Sequence, residues 1–253
     1  MTVARRFGTH PDVPDVRDRV YLPAPNRAVP RHVDLRPLCP PVYNQHTLNS
    51  CSANAIAGAI WFDVRRTVAP DAPSPSRLFI YYNERVTERV VHHNVPVSLR
   101  DGYRSVARIG VCAEDLWPYR VRQYARRPPR RCYEAARRDR ALVYFRLHRD
   151  LRVMRACLAE GFPFTLGVSV HESFTSPRVK RTGLIPMPKP GEPLRGGHAM
   201  LVVGYDDRDR HAIVRNSWGT TWGMAGYCRL PYEFLLHPAL SWDFWTCRAV
   251  TRR

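Results

Sequence analysis

The sequence predicts an α+β chain with two lobes, a helical half followed by a strand-rich half, and a cleft between them. Three observations predict it. The run CSANAIAGAIWFDVRRTV, residues 51 to 68, carries small and apolar residues at helical spacing, and two shorter helical patterns follow it. From Ala141 onward the texture changes to short β-prone runs separated by Gly, Pro and Asp turns. Finally, 253 residues with 44% hydrophobic and 11% aromatic content supply a core for one large domain or two packed lobes.

Residues 1 to 31 carry prolines at 11, 14, 23, 25 and 30 among many charges, so they read as an extended arm without a core of its own. Too short and too proline-rich to fold alone, this arm must either be loose or lean on the body; the expectation is that it leans there and partly covers the cleft, through apolar contacts from Phe7, Val13, Val20, Tyr21 and Leu22. The folded domain is placed at 32–253, its helical lobe at about 32–140 and its β-rich lobe at about 141–253. Ser50 stands as a candidate N-cap, which puts Cys51 at a helix start. Ser76 to Arg89 and Arg100 to Ile109 also read as helices, and Arg120 to Arg138 as an arginine-rich, proline-broken connector. The strands expected are ALVYFRL, FTLGVSV, HAMLVVGY and HAIVRNSW, which form an antiparallel lobe.

The formal charge of +18 implies attraction to polyanions, so non-specific association with nucleic acid through the basic surface is an expected property alongside the plain reading of a solvated surface. All but two of the 40 basic residues are arginine, the exceptions being Lys180 and Lys189. Seven scattered cysteines lack the even, dense spacing of a disulfide framework, which favours a reducing setting. The apolar stretches fall short of the roughly 20 residues that span a bilayer, and the charged, proline-containing start lacks a secretory h-region. No membrane association is expected; the setting is the cytoplasm or the inside of a particle, and the chain is expected to be a monomer.

The chemistry-bearing residues assemble around Cys51. A thiol attacks a carbonyl as thiolate, so it needs a helix N-terminus, an imidazolium, or both. His198, in RGGHAMLVVGYDD, is the candidate imidazole; Asn216, in VRNSWGTTWGMAGY, lies on the next predicted strand and can hold it. The Gln45 carboxamide and the Cys51 backbone N–H are candidate donors to an oxyanion. No CxxC or Cys/His spacing suggests zinc.

The ordered quartet Gln45, Cys51, His198 and Asn216 resembles the papain-like cysteine peptidases, with NSWGTTWGMAGY similar to that family's asparagine motif. VDLRPLCPPVYNQHTLNSCSANA, SRLFIYYNERV and SLRDGYRSVARIGVCAEDLWPY extend the likeness from Val33 to Leu235, toward a branch found in bacteria and some viruses. The resemblance implies a papain-like two-lobed fold and a thiol-dependent peptidase acting on protein or peptide substrates, with no metal or organic cofactor. It further implies that Trp218 shields the asparagine–histidine bond. Gly197, Ala199 and Leu99 are then placed on the walls of the substrate cleft, a lining that favours an apolar side chain two residues before the cut. The chain departs from the pattern at His46, where glycine is usual, at Asn49, at Ser52, where an aromatic usually follows the cysteine, and at Leu48, where many members carry a disulfide cysteine. An inactive binding module and an acyl transferase using the same thiol stay open as alternatives at this point.

Overall fold

The computed structural model of the chain describes residues 9–25, 28–138 and 142–249. Helices come first: α1 Cys51–Thr67, α2 Arg77–Thr87, α3 Leu99–Ile109 and α4 Arg130–Arg138 follow a short strand β1, His32–Asp34. The strands β2 Leu142–Arg146, β3 Phe164–His171, β4 Leu194–Asp206, β5 His211–Arg215, β6 Tyr227–Pro231 and β7 Ser241–Ala249 make up the second half. Three helices, α5 Leu151–Ala159, α6 Pro177–Thr182 and α7 Tyr232–Leu236, interrupt it.

The strands form one antiparallel sheet in the order β2-β7-β3-β4-β5-β6. Strand β1, placed by its position with the helical half, joins that sheet beside β4, with Val33 opposite Tyr205. The chain therefore starts its folded part on the β lobe and crosses to the helices afterward. Arg215 fastens the crossing, donating from its guanidinium to the carbonyls of Pro40 and Pro41.

Helix α1 is buried along nearly its whole length, from Cys51 to Asp63 with Trp61 alone half-exposed. Its small residues permit close approach to the sheet: a Cβ added at Gly58 would already touch the Leu201 side chain at 3.4 Å. Ser76 and Ser98 cap α2 and α3, accepting from the N–H groups of Phe79 and Asp101. Ser50 does not cap α1; its hydroxyl pairs with Tyr119 and accepts from Asn54. The expected connector is helical in its second half, where Cys132 and Ala136 bury one face of α4 and arginines, good helix formers, cover the rest.

The arm lies on the body, but not through the expected apolar contacts. Val13 and Leu22 are 80% and 79% exposed, Val20 is exposed, Tyr21 alone is buried, and Phe7 lies outside the described residues. Polar anchors hold it instead. Tyr21 N–H donates to the Arg146 carbonyl at 2.9 Å and Arg146 N–H to the Arg19 carbonyl at 2.7 Å. Asp18 forms ion pairs with Arg100 at 2.6 Å and Arg146 at 3.1 Å. A proline-rich arm cannot present a continuous apolar face, and the arginine-rich wall beneath it rewards carboxylates more strongly.

Candidate active site

Cys51 is the first residue of α1, where unsatisfied backbone N–H groups concentrate positive potential. His198 arrives from β4, in register with Val168 of β3, and so is fixed by the middle of the sheet. The residue after it, Ala199, directs its backbone N–H toward the Cys51 thiol. Sequence places the two candidates 147 residues apart; the packing of α1 on β4 brings them to one site.

Asn216 follows the last residue of β5, beside β4, and its Oδ1 lies 2.8 Å from His198 Nε2. The same Oδ1 accepts the Ser217 N–H at 2.7 Å, which fixes the amide and makes the ring nitrogen the donor. Trp218 covers the pair, its ring 4.8 Å from the imidazole, and is itself held edge-on by Trp222 and Phe174. The tight turns that return the chain here need glycine: Gly223 has φ 58°, and a Cβ there would meet the Tyr227 carbonyl at 2.4 Å.

Gln45 is brought in by a short antiparallel contact in which Gln45 N–H donates to Ser217 O and Gly219 N–H to Tyr43 O. Its Oε1 accepts the Ser217 hydroxyl at 2.6 Å, and its Nε2 donates to Leu48 O at 2.9 Å. The departures from the family pattern acquire physical reasons. His46 sits at φ 50°, a conformation that glycine adopts without strain, and Asn44 Oδ1 steadies it by accepting its N–H. Asn49 donates from its backbone and side chain to Asn94. Ser52 donates to the fully buried Glu84 carboxyl at 2.7 Å; burial pushes that carboxyl up to about 8.

The arm reaches this site. Thr9 Oγ1 lies 3.1 Å from Cys51 Sγ, and Thr9 N–H donates to Gly197 O at 3.2 Å. A Cβ on Gly197 would fall 1.9 Å from the Thr9 carbonyl oxygen, so glycine at this position is what admits the arm. Under this cover Cys51 is 3% exposed, and burial pushes its thiol up, against the lowering from Thr9 and the Ala199 and Ser52 N–H groups. Leu99 and Ala199 are buried too, Leu99 within the core and Ala199 beneath the same site. The structure thus brings Gln45, Cys51, His198, Asn216, Trp218, Gly197 and Ala199 together. Thr9, Asp12, Glu84 and Asp243 carry no local motif; only the bare presence of polar residues in a proline-rich arm hinted at the first two. Among the described residues no group of three or more metal-binding side chains is found, and no helix is long and apolar enough to cross a membrane.

Comparison with known proteins places this geometry. The profile of the papain family cysteine proteases matches residues 98–234. An uncharacterized peptidase C1-like protein of Acanthamoeba polyphaga mimivirus is 38% identical over 216 residues, covering 82% of this chain and 70% of that one. Xylellain, a cysteine protease from Xylella fastidiosa, superposes with a TM-score of 0.90 at 38% identity, over 99% of this chain and 100% of that one. Procathepsin L2 of Tenebrio molitor shares the fold at TM-score 0.75 and 19% identity, over 96% of this chain and 78% of that one. Its fold, its motifs and these relatives agree: the chain belongs to the papain family of cysteine proteases.

Proposed function

We propose that the chain hydrolyses peptide bonds through a covalent acyl-enzyme on Cys51, with His198 as base and acid and Asn216 orienting the imidazole. The observation that carries this reading is the 2.8 Å His198–Asn216 bond beneath Trp218, on the strand whose next residue faces the Cys51 thiol. The Cys51 thiolate attacks the scissile carbonyl carbon, and the carbonyl π pair moves to oxygen. That oxyanion is met by the Cys51 N–H and by the Gln45 amide N–H not engaged by Leu48. Imidazolium at His198 protonates the leaving amine as the C–N bond breaks. His198 then removes a proton from water, whose oxygen attacks the thioester and returns the free thiol.

The helix start and the imidazolium favour the thiolate; burial under Thr9 opposes it. In this reading the seated arm is inhibitory, because it fills the approach to Cys51 and desolvates the thiol. Cys51→Ala tests the assignment, since it removes the sulfur from a helix start without opening a large cavity. Peptide hydrolysis should vanish while the thermal transition is kept; activity within about tenfold of the parent would refute the assignment.

A further inference from the structure

Beyond Thr9 the arm inserts Asp12 into a pocket formed by the start of α3 and the middle of β7. Asp12 Oδ2 accepts the Trp245 indole N–H at 2.8 Å, and Oδ1 accepts the Arg100 backbone N–H at 3.2 Å. The Asp12 backbone N–H in turn donates to the Asp243 carboxylate. Trp245 is 0% exposed, so its single N–H is aimed at a carboxylate from another segment of the chain and at nothing else. A cavity of about 920 Å³ opens alongside, bounded by Thr9, Asp12, Gly197, Trp242 and Asp243.

The guanidiniums around this pocket take carboxylate partners from the arm. The body contributes the Arg100 and Arg146 guanidiniums and the Asp243 carboxyl, with Asp101 on the first turn of α3 also within reach of the Asp12 charge; the arm contributes Asp12 and Asp18. Burial, and then the Asp12 charge, push the Asp243 carboxyl well up, which reduces its repulsion of a second carboxylate. Both guanidiniums also stand over the Trp245 ring, at 5.6 and 5.8 Å. When the arm departs, the buried Trp245 indole N–H and the Arg100 backbone N–H lose Asp12, and the Arg100 and Arg146 guanidiniums lose Asp18. An apolar side chain would leave the indole donor without an acceptor; a carboxylate satisfies it and restores the charge.

We propose that the pocket now holding Asp12 is a carboxylate-recognition subsite of the cleft, filled by an Asp or Glu side chain of the peptide substrate once the arm is displaced. The nature of that occupant rests on the thiol-peptidase reading above. The seated arm is a stand-in for it: its Thr9 and Asp12 span from Cys51 to the subsite, three residues apart. The subsite therefore sets a preference opposite to the apolar one expected from the sequence at Leu99 and Ala199.

The full-length protein tests this in two ways. Alkylation of Cys51 by a small neutral thiol reagent reports how firmly the arm is seated, and Asp12→Asn keeps its shape while removing its charge. Labelling is expected at least tenfold faster in Asp12→Asn and faster again in Asp12→Leu, with Asp12→Glu nearer the parent. Equal rates in the parent and Asp12→Leu would overturn the proposal. In the full-length Asp12→Asn protein, peptidyl electrophiles that differ at one position before the reactive group, carrying Asp, Asn or Leu, are then compared. The Asp form is expected to react at least tenfold faster than the Asn form, and Trp245→Phe should bring that ratio toward one. The Asp-to-Asn ratio in the folded Asp12→Asn protein stands by itself, whether or not Trp245→Phe folds. A ratio near one, a faster Leu form, or reaction with none of the three overturns the subsite. A carboxylate-dependent reaction at Cys51 without hydrolysis of any amide would instead leave the subsite and remove the peptidase reading.

Discussion

Glu84→Gln isolates the most perturbed carboxyl beneath the site. Glu84 is fully buried, accepts the Ser52 hydroxyl on Oε1, and has no hydrogen-bond partner at Oε2. Burial is the main cause that raises it from 4.5 to about 8, with Glu88 and Asp101 adding repulsion and Ser52 and Arg85 opposing it. Between these two values the folded chain keeps a proton that the unfolded chain has lost. Stability from this group is therefore fully present below about pH 4.5 and declines as pH rises toward about 8, by about 1.4 kcal/mol per pH unit. Glutamine keeps the acceptor for Ser52 but does not titrate. Its extra N–H groups impose a constant cost of roughly 1–3 kcal/mol, so the slope and not the absolute stability is the readout. Urea unfolding from pH 5 to 8 should give a parent curve that falls by several kcal/mol relative to the variant. In thermal melts, each 1 kcal/mol should appear as about 2–4 °C for a chain of this size. Parallel pH profiles for parent and Glu84→Gln would refute the reasoning, since Asp243, Glu88 and Asp101 are common to both. The link to chemistry is direct: an ionised Glu84 raises the Cys51 thiol, so the neutral form protects the thiolate.

Gln45→Ala should lower kcat by roughly 10²-fold with little change in KM, because an oxyanion donor acts in the transition state; a change confined to KM would place Gln45 in ground-state binding. Asn216→Ala should cost less than His198→Ala, since asparagine orients the ring and moves no proton; single-turnover rates in the opposite order would refute that division of roles. The +18 charge predicts retention on heparin or DNA at low salt and release as salt rises, with hydrolysis of a neutral peptide much less affected; failure to bind at low salt would show that the charge is too dispersed for this role.

Much of the site was legible because its parts are short segments with strong local constraints. Cys51 begins a run whose spacing can only be helical, and the glycines of NSWGTTWGMAGY mark turns around Asn216 and Trp218. The strand runs at β2 to β5 stood out by their β-branched and aromatic content, so the sheet's presence and the α+β class followed. Other elements were hidden. Helix α4 was masked by its arginines and by Pro128 and Pro129 just before it, and β7 was hidden because Asp243 and Arg248 interrupt its apolar run.

By itself the sequence determined the helix that presents Cys51 and the strand that carries His198, because each depends on neighbouring residues and their periodicity; it put Asn216 on the following strand, which in the structure ends one residue before it. Tertiary structure alone decided which residues anchor the arm and what Glu84, Asp243 and Trp245 do. The indole of Trp245 meets Asp12 across 233 residues, and the Thr9 hydroxyl meets Cys51 across 42. Such contacts leave no periodic trace in either partner, since a buried donor and its acceptor need only complementary charge and position, which the folded packing supplies.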